Sequence, residues 1–120
     1  MDVRNDIITR HDIELLVDRF YQKVEAHALL GPLFANIDWV KHKPIMYSFW
    51  STMMLGEQSY RRNPFEKHVA LPLTATHFSD WLSLFVETVD ESFQGDKALE
   101  IKQRARTIAG VWQFKLGINE

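Results

Sequence analysis

Apolar residues recur three and four positions apart through most of this chain, the spacing that gathers them on one side of a helix. Over 11–28, Ile13, Leu16, Val17, Phe20, Tyr21 and Val24 share a face, with Asp18, Lys23 and Glu25 on another. Gly31 and Pro32 predict its end, and a short helical turn through Pro32 to Phe34 follows, since Pro is tolerated in a first turn. Asp38 reads as an N-cap. The helix it opens, about 39–55, stacks His42, Met46, Phe49, Trp50 and Met53 in one stripe. Pro44 lies near its start, where a missing N–H costs least, so a kink or a later start is the alternative.

Periodicity fades from Gly56 to Leu73, where Asn63, Pro64 and Pro72 predict a long connection with at most a short helix ending near 68–70. Connections of that length often carry function. A third helix, about 74–94, aligns Phe78, Trp81, Leu82, Phe85 and Val89. Gly95 closes it, and a fourth, about 96–116, aligns Ile101, Ala105, Ile108, Trp112 and Leu116. No strand competes, so the expected fold is all-α, and 120 residues suit one domain spanning 1–120.

Composition narrows the function. Eight Phe, four Trp and three Tyr are many large rings for so short a chain, as though something bulky packs among them. A net charge of -2 with dispersed Lys and Arg offers no field for nucleic acid or anionic lipid. The absence of cysteine excludes disulfides, thiolate metal sites and cysteine nucleophiles. The N-terminus has no apolar signal core and no run approaches the ~20 apolar residues of a membrane span, so the expected location is cytoplasmic, without a membrane partner.

No Walker loop, GxGxxG, HExxH, GxSxG or paired-cysteine pattern is present, which removes the strongest signatures of nucleotide and hydrolytic chemistry. Five histidines and a few polar aromatics remain. His68, in EKHVALP, follows the irregular segment and precedes an apolar run, so it reads either as an inward metal ligand or as a half-buried histidine near a helix end. His42 faces whatever its stripe faces, a cavity or a rim. Tyr21 and Trp81 each put a donor on an apolar face, which ordinary core packing also explains. No common zinc spacing joins His42, His68 and His77, and His11, His27 and His77 are read as surface.

Taken together, FYQKV at 20–24, LGPLF at 30–34, HKPIMYSFW at 42–50, LGEQSY at 55–60, NPFEKHVALP at 63–72 and WLSLF at 81–85 resemble the truncated haemoglobins, most closely their third group. The resemblance runs from Ile13 to Phe114, and the chain shares the third group's lack of double-glycine hinges. It implies a two-over-two helical sandwich around haem b (iron protoporphyrin IX), with His68 as proximal iron ligand. It also implies Tyr21 and Trp81 as donors to a bound ligand, and His42 as the distal histidine. Phe20, Phe34, Met46, Phe49, Trp50 and Leu84 would pack on the porphyrin or line the distal pocket. One departure is Arg62, where many relatives carry glycine; Arg61, Arg62 and Lys67 read either as partners of the haem propionates or as solvated surface cations.

The function so implied is reversible binding of O2, and of NO, CO or cyanide as the redox state permits, by a monomer. Donors on the ligand predict slow O2 release, which argues against transport. The alternative is an enzyme on the same scaffold, performing NO dioxygenation or peroxidase-type chemistry with an external reductase. A cofactor-free helical interaction module is the third reading.

Overall fold

The computed structural model describes residues 4–35, 37–56 and 73–117. Four long helices carry the described chain: α1 (Arg10–Ala26), α2 (Trp39–Leu55), α3 (Ala75–Ser92) and α4 (Asp96–Lys115), with a 3-10 turn at Gly31–Phe34 between the first two. No strand occurs among the described residues, and no helix there is long and apolar enough to cross a membrane. α1 packs on α2, α3 packs on α4, and α1 also crosses α3, giving two helical pairs joined through α1.

Each start has a physical cause. Thr9 caps α1 by accepting the Asp12 N–H, while the Asp12 carboxylate accepts those of Ile8 and Thr9 at 2.9 and 3.0 Å. Asp38 caps α2 by accepting the Val40 N–H at 3.1 Å, as its sequence position predicts. Pro44 sits inside α2, which begins at Trp39 and runs through it. α2 stops at Gly56, whose φ of 75° is a left-handed conformation that glycine adopts without penalty.

α1 ends at Ala26, earlier than the Gly31-Pro32 pair predicts. His27 turns extended there, and its Nδ1 accepts the backbone N–H groups of Leu29 and Leu30, giving the chain a local alternative to helix. α3 likewise ends at Ser92. Phe93, extended and buried, goes into the core, while the Gln94 N–H donates to the Asn5 carbonyl.

α4 has no cap of its own; Gly95 precedes it and cannot supply one. The cap comes from Asp6, whose carboxylate accepts the N–H groups of Lys97 and Ala98 at 2.9 and 2.8 Å, besides that of Ile7. Only glycine fits at 95, since a Cβ there would lie 2.6 Å from the Asp6 Cγ, at a φ of 132°. Arg4 extends the clasp, donating to the Asp90 carbonyl and to Gln94.

Burial pushes the Asp6 carboxyl up, but the three backbone donors and the Lys97 ammonium outweigh it and hold it below the usual carboxylate range. A lowered folded-state value means the stabilisation is fully present above about pH 4 and disappears as pH falls through the folded carboxyl's own titration. Asp6→Ala is accordingly expected to cost about 1 to 2 kcal/mol at neutral pH and much less in acid. Urea denaturation at the two pH values checks this, and an equal loss at both would contradict it.

The core follows the predicted stripes. All six apolar positions of α1 are buried, and around them lie Met46, Trp50 and Met54 of α2, Phe85 and Val89 of α3, and Ala98, Ile101 and Ala105 of α4. Polar ties across the α1 pairings are half exposed: Tyr47 to Asp18, Arg10 to Ser48 at 3.2 Å, and Lys23 to Glu87 and Glu91 at 2.6 and 2.8 Å. Exposed pairs of this kind contribute little each, so apolar packing sets how the helices lie.

Candidate functional site

A cleft opens where one end of α1 meets the other helices, and it encloses about 770 Å³ of empty space counting its open mouth. α1 supplies Tyr21, and Leu30, Leu33 and Phe34 come from the segment after it. Met46, Phe49 and Trp50 come from α2, while α3 gives His77, Phe78 and Trp81 and α4 gives Ile108, Ala109 and Trp112. Leu73 completes the lining. The positions within each helix are three or four apart, or adjacent, so one face of each helix is turned to the cleft.

The aromatic walls are braced from behind. Phe85, fully buried, stacks on Trp50 at 4.9 Å between ring centroids and on Trp81 at 5.6 Å. Phe20 packs edge-on to Trp81 and Phe85 and against Tyr21 at 5.0 Å. Tyr21 also meets Trp39 at 5.0 Å, Phe34 at 6.1 Å and the His42 imidazole at 5.6 Å. Offset and edge-to-face rings lock one another's rotamers, so the walls are held before any ligand arrives.

Polar groups are few. Tyr21 is 6% exposed, yet no hydrogen bond reaches its hydroxyl among the described residues. Burial pushes its phenol above the ordinary tyrosine value, so it stays protonated and serves as a donor. The Trp81 indole N–H likewise has no partner among the described residues. His77 is engaged on one side only: its Nδ1 accepts the Thr74 N–H at 3.0 Å, completing the capping box that opens α3.

Six of the sequence-predicted residues therefore share the cleft: Tyr21, Phe34, Met46, Phe49, Trp50 and Trp81. Phe20 lies behind the wall, and His42 is half-buried against Tyr21 and Trp39 outside the lining. Leu84 packs against the buried core, also outside it. His68, Lys67, Arg61 and Arg62 lie outside the described residues.

His77 corrects the reading of that histidine as surface, because its ring is part of the cleft wall. Ile108 and Trp112 were legible as a packing stripe, but spacing alone does not tell a stripe that meets a cavity from one that meets a helix. Phe78 was legible in the same way, Leu30 and Leu33 only as part of the LGPLF segment, while Leu73 and Ala109 carry no signal that would single them out.

The bacterial-like globin family model matches residues 5–111 of this chain. The group 3 truncated hemoglobin ctb of Campylobacter jejuni is 35% identical over 118 positions, covering 92% of this chain and 93% of that one. The group 1 truncated hemoglobin GlbN of Nostoc commune is 33% identical over 67 positions, covering 55% and 57% of the two chains. In three dimensions the crystal structure of the Campylobacter jejuni group III truncated hemoglobin matches with a TM-score of 0.87 at 35% identity, over 95% of each chain. With its four helices in the same arrangement and an aromatic cleft between them, this chain belongs to the bacterial-like globins and, within them, to the group III truncated haemoglobins.

Proposed function

We propose that this chain holds a haem b in the cleft through His68 and reversibly binds O2 there, with Tyr21 and Trp81 donating hydrogen bonds to the ligand. The observation that carries the reading is buried Tyr21, whose protonated hydroxyl lies on the wall of an otherwise apolar cleft with no partner among the described residues. A ligand that accepts its hydrogen bond gives that hydroxyl a partner inside the cleft, worth roughly 1.5 to 3 kcal/mol when the acceptor is charged. The lining also fits the cofactor. Phe34, Phe49, Trp50 and Trp81 with Met46 present flat and polarisable apolar surface to a flat apolar ring system.

When bound, the haem supplies an iron with an open coordination position, at which a diatomic ligand gains partial negative charge. What the chain adds is selective retention. Hydrogen bonds to a charged acceptor are worth roughly 1.5 to 3 kcal/mol each, and the apolar walls keep water from competing for the same donors. CO, which acquires less charge, gains less from them, and NO is accommodated by the same space.

The test is the visible spectrum of haem-reconstituted protein, reduced and then exposed to CO, beside a His68→Ala variant. The expected result is stoichiometric uptake with a histidine-ligated spectrum that shifts on CO addition, and loss of that spectrum in the variant. Absence of specific uptake would overturn the reading of the cleft, and an unchanged variant spectrum would overturn the role of His68.

A further inference from the structure

Apart from Tyr21, one titratable side chain lines the cleft among the described residues: His77, in the first turn of α3. Its ring is oriented by the backbone. Nδ1 accepts the Thr74 N–H at 3.0 Å and lies 2.8 Å from the Thr74 hydroxyl, while the His77 N–H donates to that same hydroxyl. A neutral imidazole whose Nδ1 accepts must carry its proton on Nε2. No described residue receives that proton, and Asp80, one turn further along α3, lies instead 3.6 Å from His27. The cleft therefore has a fixed N–H donor on a half-exposed wall of otherwise apolar surroundings.

The ligand chemistry such a donor suits is an anionic oxygen at the edge of an apolar plate. A haem has two carboxylates on one edge. We propose that His77 is a positioning residue for the haem, its Nε2–H donating to a propionate carboxylate and so fixing how the ring system is turned in the cleft. This rests on the haem reading of the cleft. The positive end of α3 favours the same carboxylate, and the capping box explains why the imidazole is held rather than free to rotate.

The test separates the ring's two tasks. In His77→Asn the amide oxygen can still accept the Thr74 N–H, as the Asp12 carboxylate does for Thr9 in α1, but no donor extends to where Nε2 stood. Haem loss to an excess of scavenging apoglobin is measured for wild type and variant, each loaded with natural haem or with its dimethyl ester, which has no free carboxylates. The variant is expected to lose natural haem about tenfold faster than wild type, and to lose the ester at the wild-type rate. An unchanged rate with natural haem, or an equal acceleration with the ester, would overturn the proposal.

In wild-type protein the His77 Nε2 proton should exchange with solvent more slowly with natural haem than with the ester, a comparison that needs no variant to fold. Equal exchange would also count against it. Failure of the wild type to take up haem at all would strike at the haem reading itself, an outcome distinct from these.

Discussion

Tyr21→Phe is expected to speed O2 release from the reduced, haem-loaded protein about ten- to a hundredfold while leaving the haem-free protein as stable or about 1 kcal/mol more stable. The opposite signs follow from one atom. The tyrosine is buried and protonated, and its hydroxyl has no protein partner among the described residues, so in the haem-free protein it is a polar group on the wall of an apolar cleft. Phe keeps the ring and its packing on Phe20, Phe34, Trp39 and His42 and removes only that oxygen. With a ligand present the same oxygen has an acceptor, and its loss is felt as faster dissociation. Stopped-flow ligand displacement and thermal melts of the haem-free protein measure the two halves. Trp81→Phe should act in the same direction on release, and unchanged O2 dissociation in both variants would remove the donors from the account.

The second large effect is expected at Phe85. Its side chain is fully buried, stacks on Trp50 and Trp81, and meets Phe20 edge-on at 5.2 Å. Phe85→Ala should cost about 3 to 5 kcal/mol, because the space left lies among rings that cannot collapse into it without abandoning their own rotamers. For a chain of this length that corresponds to a fall in Tm of about 10 to 20 °C. The damage should not stop at stability. Trp50 and Trp81 are cleft walls leaning on Phe85, so haem retention should weaken in the same variant although Phe85 itself is not part of the lining. Calorimetry with and without haem checks both, and a loss under about 1 kcal/mol would show that the stack relaxes more freely than its geometry implies.

The helices were legible in the sequence because each buries one stripe, and the stripe of α1 is buried at all six predicted positions. Their ends were less so. Nothing in the spacing shows that His27 will turn its ring back onto Leu29 and Leu30 and stop α1 short of Gly31, or that Phe93 will leave α3 for the core. The site divides in the same way. Tyr21, Met46, Phe49, Trp50 and Trp81 were legible as large side chains on apolar faces, two of them with a donor, Phe34 only through the resemblance, and the resemblance implies what those faces enclose. His77 did not, because a polar residue three positions after a threonine at a helix start is what any capped, solvated first turn looks like. Only the tertiary arrangement turns that cap inward. Asp6 was missed for a related reason: the helix it serves is 90 residues away, beyond any local rule.

That distance bears on how the molecule is made. Asp6 leaves the ribosome well ahead of the donors it caps, Lys97 and Ala98, which follow 91 and 92 residues later. Until they emerge, the clasp between Asp6 and α4 does not exist. Closing so long a loop adds little to the equilibrium cost, which grows only with the logarithm of length, but it delays the event. During synthesis, then, α1, α2 and α3 can come together while the segment around Asp6 stays undocked. The α4 wall of the cleft, with Ile108, Ala109 and Trp112, is set last. A nascent chain that has not reached this stage has three walls and no fourth, so stable cofactor capture waits until α4 has emerged.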